Sequence, residues 1–535
     1  MNAKRLLIGT TLIATLLAAC SPAATPTTIA VEPKPVVQTQ VVEQRLYPTE
    51  APQATQTSGQ QWAAPQPTPF GGGLPAYPTP AATPADMFFQ NYGVNPFTDA
   101  HEDHLSTFAL DVDTASYTLA RRYVQQGNLP PAESVRVEEF VNYFKQDYAL
   151  PHDAAFGLYA DAAPSPFQPD QVVVRFGVQG YQVPDAQRKP ASLTFVIDVS
   201  GSMEMENRLG LVKRSLELLV EGLRPTDTVA IVVYGSEARV VLNPTSAEDK
   251  GAILNAIYSL QTEGATNAEA GLTLGYQMAE WAYRPDAINR VILCSDGVAN
   301  VGNTGPDAIL NSIGDWARRG VTLTTLGFGM GNFNDVLMEQ LANKGDGMYA
   351  YVDDLDEARK LFVDELTSTL QVIAYDAKVQ VDFNPEVVRY YRQIGYENRA
   401  VADQDFRNDT VDAGEIGAGH TVTALYAVVL NPGATGRLAT MQMRWQDADT
   451  KQVREINGNF NTWDIAPNFE SASPRYQLAA TVAQYAEVLR RSPWAQASTL
   501  RQVSQYATRL TELLPGDADV LEFAQLTAQA SQLGW

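Results

Sequence analysis

Three short stretches bring together side-chain oxygens of the kind a hard metal ion binds. Asp198-Val199-Ser200-Gly201-Ser202 has D-x-S-x-S spacing and follows directly on an apolar run at 193–197. Thr266 stands in Glu263-Gly264-Ala265-Thr266-Asn267, ahead of a helical pattern, and Asp296-Gly297 ends the apolar run Val291-Ile292-Leu293-Cys294. Mg²⁺ and similar cations take oxygen ligands in near-octahedral geometry and tend to keep water. The two serines and the threonine offer neutral hydroxyls, and Asp198 and Asp296 can bind directly or through water. A set so rich in neutral ligands leaves the ion electrophilic, open to one more anionic oxygen that an Asp or Glu of a partner can supply. Mg²⁺ is expected first, with Mn²⁺ and Ca²⁺ equally compatible with the oxygen set.

Each signal has a plainer reading. Thr266-x-x-Glu269 is also a capping box, and Asp198 and Asp296 stand where turns favour aspartate. Glu204 and Glu206 suit a solvated first helical turn, and His101-Glu102-Asp103-His104 reads as exposed polar residues rather than a metal site. Asp111-Val112-Asp113 resembles the start of a phosphotransfer motif without its companions. Gly327-Phe328-Gly329-Met330-Gly331 misses the dinucleotide spacing because Asn332 falls at the third glycine position, so it reads as a tight turn. There is no GxxxxGK[ST] loop. Cys294, in an apolar run, reads as core. The four histidines are His101, His104, His152 and His420, none of them between residues 153 and 419. That argues against histidine catalysis beside the metal, and the expectation is a binding protein rather than an enzyme.

The elements that must position these residues follow from periodicity. Residues 193–197 read as a central parallel strand, and Leu209, Val212, Leu216 and Leu219 as an amphipathic helix. Strands are expected at 228–234, 291–294 and 321–326. Helices are expected at 253–260, 274–282, 336–341 and 355–370. Alternation of this kind means a doubly wound α/β domain with a parallel sheet covered on both faces, and its ligands belong at the C-terminal strand ends. Upstream, 86–150 reads as helical, with Tyr117, Leu119, Val124, Val137, Phe140, Val141 and Phe144 at helical spacing. Residues 155–182 and 375–460 read as strands, and the text after Pro474 as helix. Strand text on both sides of the α/β unit suggests that this unit is inserted into one β-sandwich. No internal repeat is visible.

The 535 residues carry a formal charge of −23, which argues against a nucleic-acid partner, since phosphate contacts need basic patches. Lys4 and Arg5, the apolar run at 6–19 and Leu17-Ala18-Ala19 before Cys20, with small residues next to the cysteine, resemble the signal peptide and lipobox of bacterial lipoproteins. That resemblance implies cleavage before Cys20 and acyl chains on it, giving stable membrane anchoring through two or more chains. Residues 21–85, rich in Pro, Thr, Ala and Gln, lack the periodicity needed to bury a core and read as a tether.

The metal motif as a whole resembles the metal-ion-dependent adhesion site of von Willebrand factor type A (VWA) domains, over about 192–370. The flanks Ser106-Thr107-Phe108-Ala109-Leu110-Asp111-Val112-Asp113-Thr114-Ala115-Ser116-Tyr117 and Val135-Arg136-Val137-Glu138-Glu139-Phe140 resemble the N-terminal region of bacterial lipoproteins with this domain. Gly395-Tyr396-Glu397-Asn398-Arg399 and Asp412-Ala413-Gly414-Glu415-Ile416-Gly417 resemble their C-terminal region. The resemblance implies a signal peptide at 1–19, a lipidated tether at 20–85, an N-terminal region at 86–190 (helical, then β), a VWA domain at 191–371, a β region at 372–460 and a helical region at 461–535. It also implies that Asp198, Ser200, Ser202, Thr266 and Asp296 ligate a divalent cation whose shell a protein ligand's carboxylate completes, on the extracytoplasmic side of the envelope. Two alternatives stand beside this: a structural role with an internal carboxylate on the metal, and a metal-assisted hydrolase with an acidic base.

Overall fold

A computed structural model describes residues 87–110, 113–152, 154–297, 306–330 and 333–534. The expected signal peptide, Cys20 and the tether lie outside the described residues, as do Asp111, Val112, Gly331, Asn332 and the side chain of Glu206. Among the described residues no helix is long and apolar enough to cross a membrane.

The N-terminal region runs β1 (Thr98–Asp99), β2 (Leu105–Ala109), α1 (Ala115–Gln125), α2 (Val137–Asn142), β3 (Phe156–Pro164) and β4 (Val172–Gly180). The α/β region follows with β5 (Ala191–Asp198), α3 (Arg208–Gly222), β6 (Thr228–Tyr234), β7 (Ala238–Ser246), α4 (Lys250–Ser259), α5 (Ala268–Trp281), β8 (Ile288–Ser295), α6 (Pro306–Arg318), β9 (Val321–Phe328), α7 (Asp335–Lys344), β10 (Tyr349–Val352), α8 (Leu355–Arg359) and α9 (Leu366–Leu370). The C-terminal region holds β11 (Val372–Phe383), β12 (Val388–Ile394), β13 (Gly414–Gly417), β14 (Thr421–Leu430), β15 (Arg437–Asp447) and β16 (Val453–Asn461). It ends in α10 (Pro474–Leu489), α11 (Leu500–Leu513) and α12 (Ala518–Ala530).

The α/β sheet has the order β10-β9-β8-β5-β6-β7, parallel except for β7, which runs antiparallel to β6. Strand β5 is buried along its whole length because helices cover both faces. Its residues alternate between two cores, Leu193, Phe195 and Ile197 on one side and Val196 on the other, which explains why its text is continuously apolar rather than alternating. The chain leaves β5 toward β6 on one side and returns as β8 on the other. The β5/β8 boundary is therefore the switch point where open sheets form a ligand crevice.

Two further sheets make the sandwich, in the orders β1-β12-β14-β4-β3 and β13-β11-β15-β16, with β2 pairing β11. Strand β4, from before the α/β region, pairs antiparallel with β14, from after it, Val174 opposite Tyr426. The insertion therefore takes the form the strand text suggests, with one difference. The N-terminal region does not begin with helix: β1 and β2 precede α1 and join the two sheets. Two and five residues are too few to show a period, and β2 is recognisable only by its pairing with β11. In β4 and β14, Val174, Phe176, Val422, Ala424 and Tyr426 face the sandwich core. Val173, Leu425 and Ala427 face a helical core built from α1, α2, α10, α11 and α12.

Buried arginines fasten the N-terminal helices to the α/β region. Arg121 of α1 reaches Asp353 at 2.6 Å and Glu357 at 3.0 Å, and also Glu522 of α12 at 2.7 Å. Arg136, just before α2, reaches Asp335 at 2.6 Å and pairs with Glu139.

Candidate metal centre

Asp198 ends β5 and is wholly buried. Its Oδ1 accepts the Ser200 backbone N–H at 2.8 Å, and its Oδ2 accepts the Ser295 hydroxyl at 3.1 Å. Ser200 and Ser202 lie where the chain turns into a 3₁₀ helix at Gly201–Asn207, and their hydroxyls are 3.0 Å apart. Asp296 follows β8, the neighbour of β5, and is nearly buried. Burial first, and the Asp296 charge second, push the Asp198 carboxyl up to about 6.

The Thr266 loop is held to this turn by backbone. Gly201 N–H donates to Gly264 O at 3.2 Å, and Glu263 N–H donates to Val199 O at 2.5 Å. Gly264 has φ +70°, and a Cβ there would lie 2.2 Å from the Ser236 hydroxyl, so the loop needs a glycine at its closest approach. Thr266 does not cap the helix behind it. The N-cap of α5 is Asn267, whose side chain accepts the Ala270 N–H at 3.2 Å. The capping-box reading of Thr266-x-x-Glu269 is corrected by one residue: Asn is as strong a cap as threonine, and taking it one position later leaves the Thr266 hydroxyl free of that task.

Of the five expected residues, the structure joins Asp198, Ser200, Ser202 and Asp296 through hydrogen bonds and mutual charge, and sets the Thr266 loop against them. All five donors are hard oxygens. The Asp296 charge adds to the cost of ionising Asp198. That donor chemistry fits a divalent cation such as Mg²⁺, with Mn²⁺ and Ca²⁺ satisfying the same criteria.

Two contributors escape a reading of the sequence. Ser295 bridges the site from below, donating to Asp198 and accepting the Gly297 N–H at 3.2 Å. Arg208, the first residue of α3, is buried; its Nη1 donates to Asp296 Oδ2 at 2.6 Å and its Nη2 to Met330 O. The Gly327–Met330 text read as a tight turn is the cradle for this side chain. Gly329 has φ +78°, and a Cβ there would lie 2.1 Å from Arg208 Nε. Arg208 falls just before the apolar pattern Leu209, Val212, Leu216 and Leu219 and carries no signal of its own there, so only the fold reveals its target.

The other candidates are placed plainly. Cys294 is fully buried, and burial pushes its thiol up, as suits core. His101 to His104 form an exposed turn in which His104 Nδ1 lies 2.7 Å from Asp382 Oδ1. His420 belongs to the sandwich, and burial lowers it to about 4, so it is neutral.

Comparison with known proteins accords with this architecture. Family models match in three blocks: one described as von Willebrand factor over residues 83–175, the von Willebrand factor type A domain over 192–364, and the C-terminal region of the uncharacterized protein YfbK over 368–533. The uncharacterized protein YfbK of Escherichia coli (strain K12) is 35% identical over 465 residues, spanning 82% of this chain and 80% of that one. The uncharacterized protein sll0103 of Synechocystis is 24% identical over 353 residues, covering 64% and 79% of the two chains. Human inter-alpha-trypsin inhibitor heavy chain H4 is 28% identical over 192 residues, 34% of this chain and 20% of that one. Among solved structures, a von Willebrand factor type A protein from Catenulispora acidiphila aligns with TM-score 0.41 and 17% identity, over 69% of this chain and 89% of that one. With three consecutive blocks matched and a relative at 35% identity over four fifths of both chains, the chain belongs to the YfbK family of von Willebrand factor type A domain proteins.

Proposed function

We propose that this chain is an envelope lipoprotein, anchored through Cys20 on the extracytoplasmic side, that binds a protein partner through a divalent cation at the C-terminal edge of the α/β sheet. The type A domain supports the broad class, a protein-interaction or adhesion module. The observation that carries the finer reading is the pairing of Asp198 with Asp296 across the β5/β8 switch point, beside the Ser200 and Ser202 hydroxyls. Asp198, Ser200, Ser202, Thr266 and Asp296 would hold the ion. When bound, it supplies a Lewis-acidic site with room for a carboxylate oxygen from the partner. Arg208 holds one oxygen of Asp296, and Ser295 holds Asp198, so both carboxylates are oriented before the ion arrives.

The test is capture from an envelope extract of the same bacterium onto immobilised full-length protein in Mg²⁺, eluted with EDTA. Proteins released from wild type but absent from Asp198→Ala are expected. Identical profiles from both would contradict the reading and favour an internal carboxylate on the metal. Mass spectrometry of the mature N-terminus checks the anchor, with an unmodified Cys20 as the contrary result.

A further inference from the structure

The C-terminal helices pack on the β4–β14–β12 face around a guanidinium that has too few acceptors. Arg392, on β12, is almost wholly buried, and its plane lies near the rings of Phe97 and Trp494. It offers five N–H donors. Its Nη2 donates to Glu487 Oε2 at 3.1 Å, while Nε and Nη1 are buried without a partner. Glu487 cannot serve it further. The same carboxylate accepts Arg490 Nε at 2.9 Å on Oε1 and the Ser492 hydroxyl at 2.8 Å on Oε2.

A cavity of about 30 Å³ lies against Arg392. Ala480, Ala483, Gln484 and Glu487 line it from one face of α10, and the two alanines are too short to fill the space above the sheet. Gln484 Nε2 is likewise buried and unpartnered. Ser165, on the opposite wall, already accepts the backbone N–H groups of Phe167 and Gln168, at 3.2 and 3.1 Å, which leaves its hydroxyl proton to donate. The unpartnered buried atoms at this cavity are therefore donors: two from a cation and one from an amide. A water molecule would accept from two of them and then need acceptors for its own protons. A small anion accepts from all of them, and these donors hold it, since the Arg392 charge is itself already paired with Glu487.

We propose that this cavity binds one small monovalent inorganic anion of the chloride class, held by Nε and Nη1 of Arg392 and Nε2 of Gln484, which locks α10 onto the β-sandwich. The test is thermal unfolding of purified full-length protein in sodium gluconate, with chloride titrated in at constant ionic strength and pH. Gluconate is too large for the cavity. A saturable rise in Tm with chloride is expected. Gln484→Leu removes one donor without touching the Arg392–Glu487 pair, and should raise the half-saturating chloride concentration by about tenfold. Arg392→Met should abolish the saturable response, and crystals grown in bromide should show an anomalous peak in the cavity. Equal melting in gluconate and chloride, a response unchanged in Gln484→Leu, or a cavity holding water in bromide crystals would overturn the proposal.

Discussion

Arg208 and Asp296 form a buried ion pair at the edge of the α/β sheet, Nη1 to Oδ2 at 2.6 Å, and Arg208 is itself fixed by the Met330 carbonyl. One candidate metal ligand is thereby tied to the loop after β9. Removing one partner of a buried pair leaves the other uncompensated. Arg208→Gln should cost the metal-free fold about 3–5 kcal/mol. The same change removes a positive charge beside the proposed ion, so Mg²⁺ affinity should tighten by about tenfold or more. Denaturant melts with and without Mg²⁺ read both effects: the gap between variant and wild type should narrow as Mg²⁺ is added.

Gly329 is bound to the same arrangement. Gly329→Ala meets both a left-handed backbone and the Arg208 side chain. The expected loss is about 2 kcal/mol or more, with Mg²⁺ affinity shifting in the direction expected for Arg208→Gln. A stability loss with no change in metal affinity would detach Gly329 from the site.

Thr266 and Asn267 are adjacent residues with separable tasks. Asn267→Ala should cost about 1 kcal/mol of stability through the lost cap of α5 and leave metal affinity unchanged. Thr266→Val should leave the melting of the metal-free protein unchanged and weaken Mg²⁺ by about tenfold through one lost ligand. Calorimetry on the two variants side by side distinguishes them.

Around Arg121, a single guanidinium faces three carboxylates, Asp353, Glu357 and Glu522, all of them held above their ordinary range by burial. Glu357 is pushed up to about 7. The native state therefore holds this proton more tightly than the unfolded chain. The stability it contributes is full below about 4.5 and is lost as pH rises through about 7. That loss amounts to about 3 kcal/mol at most. Glu357→Gln should flatten the fall of Tm between pH 5 and pH 8, and a profile as steep as wild type would contradict the assignment.

Much of this was legible in the sequence because β5 and β8 are buried on both faces, β5 ending in Asp198 and β8 followed directly by Asp296, so each apolar run and its part of the metal motif mark each other. Strand text on both flanks likewise announced the sandwich that pairs β4 with β14. What was not legible lies at positions whose role is tertiary. Strand β7 has a mostly half-exposed, weakly patterned sequence, and β10 is only four residues long. Arg208 and Ser295 are ordinary residues until Met330 and Asp198 are placed beside them. Arg392 sits in a strand otherwise read for its pattern, and nothing in its neighbours announces a cavity under α10.

The most direct test of the central claim is calorimetric titration of Mg²⁺, and of Mn²⁺ as a second probe, into full-length wild type and Asp198→Ala. The account predicts one saturable site in wild type, lost in the variant while the fold, judged by circular dichroism, is retained. Saturable binding of equal affinity in both proteins, or no binding in wild type, would contradict it.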